Sequence, residues 1–169
     1  GVDCARSRSL SGAVLNGCRY PLSMTGWNEE DLAGPDGEDW RVPVSELASR
    51  QRHLGELLAK SGISGAFIQH PVDLYYYAGG RQNASMYIPA LGSEHPRSVL
   101  FVRRSLQRAQ YEGGGDDAPH EILSFPRMSQ LVDALAQRGV TSTPGLQFGE
   151  IPVTYSERFF KAFSALGPC

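Results

Sequence analysis

The stretch from His70 to Arg104, HPVDLYYYAGGRQNASMYIPALGSEHPRSVLFVRR, restricts the possible folds more than any other part of the chain. It begins at the end of a short apolar run, ISGAFIQH (Ile63 to His70), bounded by Gly62 and Pro71. An apolar run between such breakers predicts a buried strand. Pro71 suits the first turn of a helix, where the missing N–H has no intrahelical partner to lose. Asp73 complements the positive end of that helix, and Gly79-Gly80 closes it. Two strand-like runs follow. In Asn83–Leu91, Ala84, Met86, Ile88 and Ala90 alternate with Ser85, Tyr87 and Pro89, which predicts a strand. The second run, SVLFV within Arg97–Arg104, is continuously apolar. A turn of about five residues (GSEHP) between them predicts an antiparallel hairpin.

The flanks give this stretch a scaffold. SELASRQRHLGELLAKSG places Leu47, Leu54, Leu57 and Leu58 on one helical face, with Ser45 as the expected N-cap and Gly62 after the end. Beyond Arg104, Ser105–Gln110 predicts a short helix and EGGGDDAP a flexible loop. His120–Phe125 predicts a strand. Pro126–Gly139 predicts a helix with Met128, Leu131, Val132 and Leu135 inward, and Gly145–Ile151 a last strand. Thr154-Tyr155-Ser156-Glu157 has the form of a capping box before a helix carrying Phe159, Phe160, Phe163 and Leu166, stopped by Gly167-Pro168. Alternation of this kind predicts an α/β fold, a three-layer α/β/α domain on a mixed sheet, over residues 45–169. Residues 1–44 are polar, turn-rich and broken by glycine and proline (NEEDLAGPDGED), and are expected to form an irregular amino-terminal arm.

Several functions are excluded by what the chain contains. A net charge of -2 over 169 residues offers no basic surface for nucleic acid or an acidic membrane. No segment is apolar over the length a membrane helix needs. Three cysteines without CxxC spacing argue for reduced thiols in a cytoplasmic protein. His53, His70, His95 and His120 are widely spaced, with no HExxH, so no metal site is expected. The glycine-rich loop lacks the Lys-Ser/Thr of a phosphate loop, and no G-x-S-x-G elbow is present. No catalytic residue is expected in this chain. What remains is the corner Tyr75-Tyr76-Tyr77-Ala78-Gly79-Gly80-Arg81-Gln82-Asn83. Its aromatic rings and loop arginine can recognise a carboxylate or a partner chain; the alternative is that the tyrosines pack the domain and Arg81 is solvated.

The ordered set SRQRHLGELLAKSGISGAFIQHPVDLYYYAGG, LFVRRSLQRA and GLQFGEIPVTYSERFFKAF resembles the amino-terminal domain shared by creatinase, prolidase and Xaa-Pro aminopeptidases. Pro71, Asp73, Leu74, Tyr76 and Gly79 fit that family's P-x-(D/N)-(L/I)-x-Y-(Y/L)-(T/S/A)-G segment. The resemblance implies a ribonuclease-H-like fold that precedes a separate "pita-bread" catalytic domain, absent from this chain. That domain would supply two Asp, one His and two Glu around two divalent ions (Mn, Co or Zn), whose shared water hydrolyses the substrate. It also implies that this chain is a non-catalytic partner of its own catalytic domain, a member of a homo-oligomer, and a contributor to a substrate pocket. By position, Tyr76, Tyr77, Arg81 and Asn83 are the pocket or interface candidates. A creatinase-like or ectoine-hydrolase-like amidinohydrolase or amidase is an alternative parent. So is a free-standing binding module.

Overall fold

A computed structural model describes residues 36–94, 97–147, 149 and 152–166. Most of the expected arm, His95, Cys169, the end of the strand expected to reach Ile151 and the Gly167-Pro168 stop lie outside the described residues. The chain divides into two compact units, Gly1–Trp40 and Arg41–Cys169. In the first, a turn at Asp36–Gly37 is closed by a hydrogen bond from the Asp36 N–H to the Glu38 carboxylate. The second unit carries all the elements that follow.

Helix α1 spans Val44–Lys60. It starts two residues earlier than a Ser45 cap predicts, because the Pro43 carbonyl accepts from the N–H groups of Glu46 and Leu47 at 2.9 and 3.1 Å. Ser45 therefore sits inside the first turn and caps nothing. Its buried stripe is Leu47, Gln51, Gly55 and Leu58, while Leu57 is 45% exposed. The polar Gln51 takes a core position that the leucine pattern did not assign to it. At the far end Gly62 is left-handed (φ +70°), and Ile63 N–H reaches the Leu58 carbonyl at 3.0 Å. That is the glycine-closed helix end the sequence predicts.

The strands are β1 (Gly65–Ile68), β2 (Ala84–Pro89), β3 (Ser98–Val102), β4 (His120–Ser124) and β5 (Gly145–Leu146). They form one sheet in the order β4-β3-β2-β1-β5. β2 runs antiparallel to both β1 and β3, and the edge pairs β3–β4 and β1–β5 are parallel. The predicted hairpin is thus β2–β3, with Met86 opposite Leu100. Every residue of β2 is buried, its alternating polar positions included. Both faces of a central strand are covered in a layered domain, so its alternation separates two cores rather than core from water.

One core places Phe67, Tyr87, Val99 and Phe101 against Leu131 and Leu135 of α4 (Met128–Ala136) and Phe159 and Phe163 of α5 (Val153–Phe163). The other places Ile68, Met86, Ile88, Leu100 and Val102 against Leu74 and Ala78 of α2 (Pro71–Ala78) and Ala109 of α3 (Leu106–Glu112). The fold is α/β with helices on both sides of a mixed five-stranded sheet, as the sequence predicts.

Three further expectations need correction. α5 begins at Val153 on the Pro152 carbonyl, which accepts from Tyr155 and Ser156 N–H at 2.8 and 3.2 Å. Thr154 therefore falls within the first turn, and no side chain caps the helix. β5 is only two residues long, pairing Gly145 and Leu146 with Ala66 and Phe67. Beyond it the side chain of Gln147 takes over: its Oε1 accepts from the N–H groups of Gln69 and His70 at 2.8 and 3.0 Å. The loop expected to be flexible is partly ordered, with a 3₁₀ turn over Gly115–Asp117.

Candidate functional site

The site region is built around α2, which leaves the end of β1 and returns the chain to β2. Pro71 and Asp73 both occupy its first turn, as predicted. Gln147 Nε2 donates to Asp73 Oδ2 at 2.5 Å, so one glutamine ties the β1 end to the helix start. His70 Nδ1 lies 3.6 Å from the same carboxylate oxygen. Gly79 closes the helix in the left-handed region (φ +79°), its N–H on the Tyr75 carbonyl at 3.0 Å. A Cβ built there would lie 2.8 Å from the Glu112 carbonyl oxygen, with Leu47 Cδ1 at 3.2 Å. The corner can be this tight only with glycine. Gly79→Val is expected to lower stability by about 2 kcal/mol or more, from left-handed strain and that clash; urea unfolding of variant and parent measures it.

Two consecutive α1 residues hold the carboxyl end of α2. Arg50 Nη1 donates to the Tyr76 carbonyl at 2.9 Å, and its guanidinium lies 4.3 Å from the centre of the Tyr76 ring. Gln51 Nε2 donates to the Tyr77 carbonyl at 2.8 Å. These are carbonyls that a helix end leaves without backbone partners. The Tyr76 and Tyr77 rings meet edge to face, 4.9 Å apart. Tyr76 is half exposed, whereas Tyr77 packs against the α2-side core. Burial, then the neighbouring Tyr76 and Asp73, pushes the Tyr77 phenol above its ordinary value, so it stays a neutral donor.

Arg81 and Asn83 lie elsewhere. They line a cleft of ≈ 430 Å³ between α2, the start of β2 and α5, together with Gln69, His70, Arg103 and Tyr155, over an apolar floor that includes Leu74. Among the described residues no acidic one lines it. The Arg103 guanidinium stacks on Phe125, 3.6 Å from the ring centre. Among the described residues no carboxylate pairs with Arg81 or Arg103. A volume of this size suits a small molecule or a peptide end, and two arginines without a counter-charge suit an anion. Across the Gly79-Gly80 corner a second hollow of ≈ 390 Å³ is lined by Tyr75, Arg81, Ser105, Arg108 and Glu112. Its carboxylate is already held, with Arg108 Nε donating to Glu112 Oε1 at 2.7 Å and Gln82 Nε2 donating to Oε2.

The four residues predicted for a pocket or interface therefore fall into two pairs. Arg81 and Asn83 share the cleft; Tyr76 and Tyr77 turn toward α1. Sequence reasoning missed Gln147, which organises the β1 end, and Arg103 and Tyr155, which the fold brings to the cleft from remote positions. It also missed His120, buried to 1% exposure at the start of β4. No local signal marks any of them. Among the described residues no group of three or more His, Cys, Asp or Glu could hold a metal ion. No described helix is long and apolar enough to cross a membrane.

The creatinase/prolidase N-terminal domain family profile matches residues 50–169. Among curated proteins nothing matches. Among solved structures, the N-terminal domain of the cytoplasmic peptidase PepQ from Mycobacterium tuberculosis H37Rv is similar, with TM-score 0.56 and 18% identity over 71% of this chain and 88% of that one. So is the creatinase/prolidase-like N-terminal domain of a Corynebacterium diphtheriae protein described as a metallopeptidase, with TM-score 0.54 and 18% identity over 72% and 93%. Dipeptidase PepE from Mycobacterium ulcerans gives TM-score 0.57 and 16% identity over 76% of this chain but 35% of its own length. Identities this low establish a shared fold. With the profile covering most of the chain, the protein belongs to the creatinase/prolidase N-terminal domain family.

Proposed function

We propose that this domain is the non-catalytic half of a cytoplasmic, metal-dependent Xaa-Pro aminopeptidase or dipeptidase. In that role it contacts other subunits of a homo-oligomer and shapes the substrate pocket of a catalytic domain. The observation that carries the reading is the open cleft holding Arg81, Asn83 and Arg103, with no counter-charge among the described residues. A cleft with cationic donors and an apolar floor can bind and orient a carboxylate-bearing ligand. Arg81 and Asn83 are the binding candidates; Tyr76 and Tyr77 form the neighbouring contact surface. In this reading the two divalent ions (Mn, Co or Zn), and the chemistry they supply, sit in the catalytic domain.

Two measurements test this. The 169-residue chain with added manganese should not turn over Ala-Pro or Gly-Pro; turnover would overturn the assignment. In the protein that carries both domains, Arg81→Ala should raise KM about tenfold or more with a smaller change in kcat, the loss of a charge-assisted hydrogen bond. An unchanged KM removes Arg81 from the pocket. A parent that hydrolyses creatine-like or ectoine-like substrates instead of Xaa-Pro peptides selects the amidinohydrolase or amidase reading.

A further inference from the structure

We propose that Gln51 and His120 form an acid-released latch, holding the carboxyl end of α2 while His120 is neutral and letting go when its ring takes a second proton. The geometry is specific. A single atom, Gln51 Nε2, lies 2.8 Å from the Tyr77 carbonyl oxygen and 3.1 Å from His120 Nδ1. The first contact fixes the amide's orientation, because the flipped amide would set Oε1 against another carbonyl oxygen. Nδ1 must then accept, which places the ring proton on Nε2. That nitrogen is buried without a partner among the described residues, facing the Gly113 backbone.

Protonation leaves no arrangement that keeps both contacts. The new Nδ1–H would point at the Gln51 NH₂, donor against donor. Flipping the amide satisfies the imidazolium but turns Oε1 onto the Tyr77 oxygen. One contact must break, and the carbonyl at the end of α2 loses its partner from α1. Arg50 still holds the Tyr76 carbonyl, so the change is confined to the last turn and the glycine corner.

The surroundings favour the neutral ring. α1 presents the uncharged Gln51, since Arg50 is turned to Glu46 and Tyr76. α2 presents a carbonyl. From α3, Glu112 is engaged by Arg108 and Gln82. On β3 the residue opposite is Ser98, and Arg97 just before it adds a repelling positive charge while donating to the Ala118 carbonyl. Glu121, next on β4, is bound by Arg138 at 3.0 Å. No carboxylate among these is left to stabilise an imidazolium.

Hydrogen-exchange protection factors of Ala78, Gly79 and Gly80, taken relative to those of β2 and β3, test the latch in the full chain between pH 7 and 4. They should fall about tenfold as His120 titrates. Gln51→Met should show the low protection already at pH 7. His120→Gln, which offers an acceptor but does not titrate, should keep it high throughout. Constant protection across the His120 titration, or a fall that survives in His120→Gln, overturns the proposal. The ¹⁵N spectrum of the unmodified protein is an independent check, because a proton on Nδ1 at neutral pH also overturns it. None of these readings depends on peptidase activity.

Discussion

Phe159→Ala lowers the unfolding free energy by about 3–5 kcal/mol, the range for deleting a fully enclosed aromatic side chain. Phe159 is 0% exposed and touches three other rings: Phe67 at 5.3 Å, Phe163 at 6.2 Å and Tyr155 at 6.3 Å between centres. Phe67 belongs to β1 and Phe163 to α5, so one substitution loosens the helix from the sheet and leaves a void that neighbours on a rigid strand cannot fill. Net stabilities of single domains are on the order of 5–15 kcal/mol, so the loss is a large share. Urea unfolding followed by far-UV circular dichroism measures it as a lower midpoint at unchanged slope. Phe160→Ala, one residue along on the exposed face, is the control and should cost much less.

Acidification should destabilise the domain through His120, by about as much. Burial, reinforced by the Arg97 charge, lowers its pKa from the ordinary 6.5 to about 4. The unfolded chain therefore binds the extra proton first. Between these values the unfolded state holds more protons than the native one, so stability rises with pH. The contribution is complete above about pH 6.5, is lost as pH falls below it, and levels off below about pH 4. At about 1.4 kcal/mol per pH unit, the whole span is on the order of 3 kcal/mol. Unfolding free energies at pH 7, 5.5 and 4.5 should show this slope in the parent and lose it in His120→Gln. A slope that persists in the variant assigns the acid sensitivity to other groups.

The elements were legible because their signals are local. Leucine spacing in α1, Pro71 and Gly79 around α2, and the hairpin between Ala84 and Val102 each come from neighbours in sequence. Helix starts were misread twice for one reason. Pro43 and Pro152 begin α1 and α5 on their own carbonyls, two residues ahead of the cap positions that Ser45 and Thr154 suggest. The buried polar residues were illegible. Gln51 sits among leucines and His120 opens an apolar strand, and nothing in either segment says that the two meet across 69 positions. The cleft was half legible. Arg81 and Asn83 lie in the corner that drew attention, but Arg103 and Tyr155 arrive through the sheet order and the docking of α5, which spacing does not encode.

The glutamine that follows β5 has a consequence for how the domain meets other chains. A parallel edge strand is an open template, and a long one invites an incoming segment to add itself to the sheet. Here β5 presents two residues of ladder, and the next two donors of β1, Gln69 and His70, are already consumed by the Gln147 side chain. An invading strand would find a short edge and would have to evict an amide that is itself anchored to Asp73. The β5 margin of the sheet is thus shielded against β-addition by a side chain, which leaves β4 (His120–Ser124) as the longer edge strand.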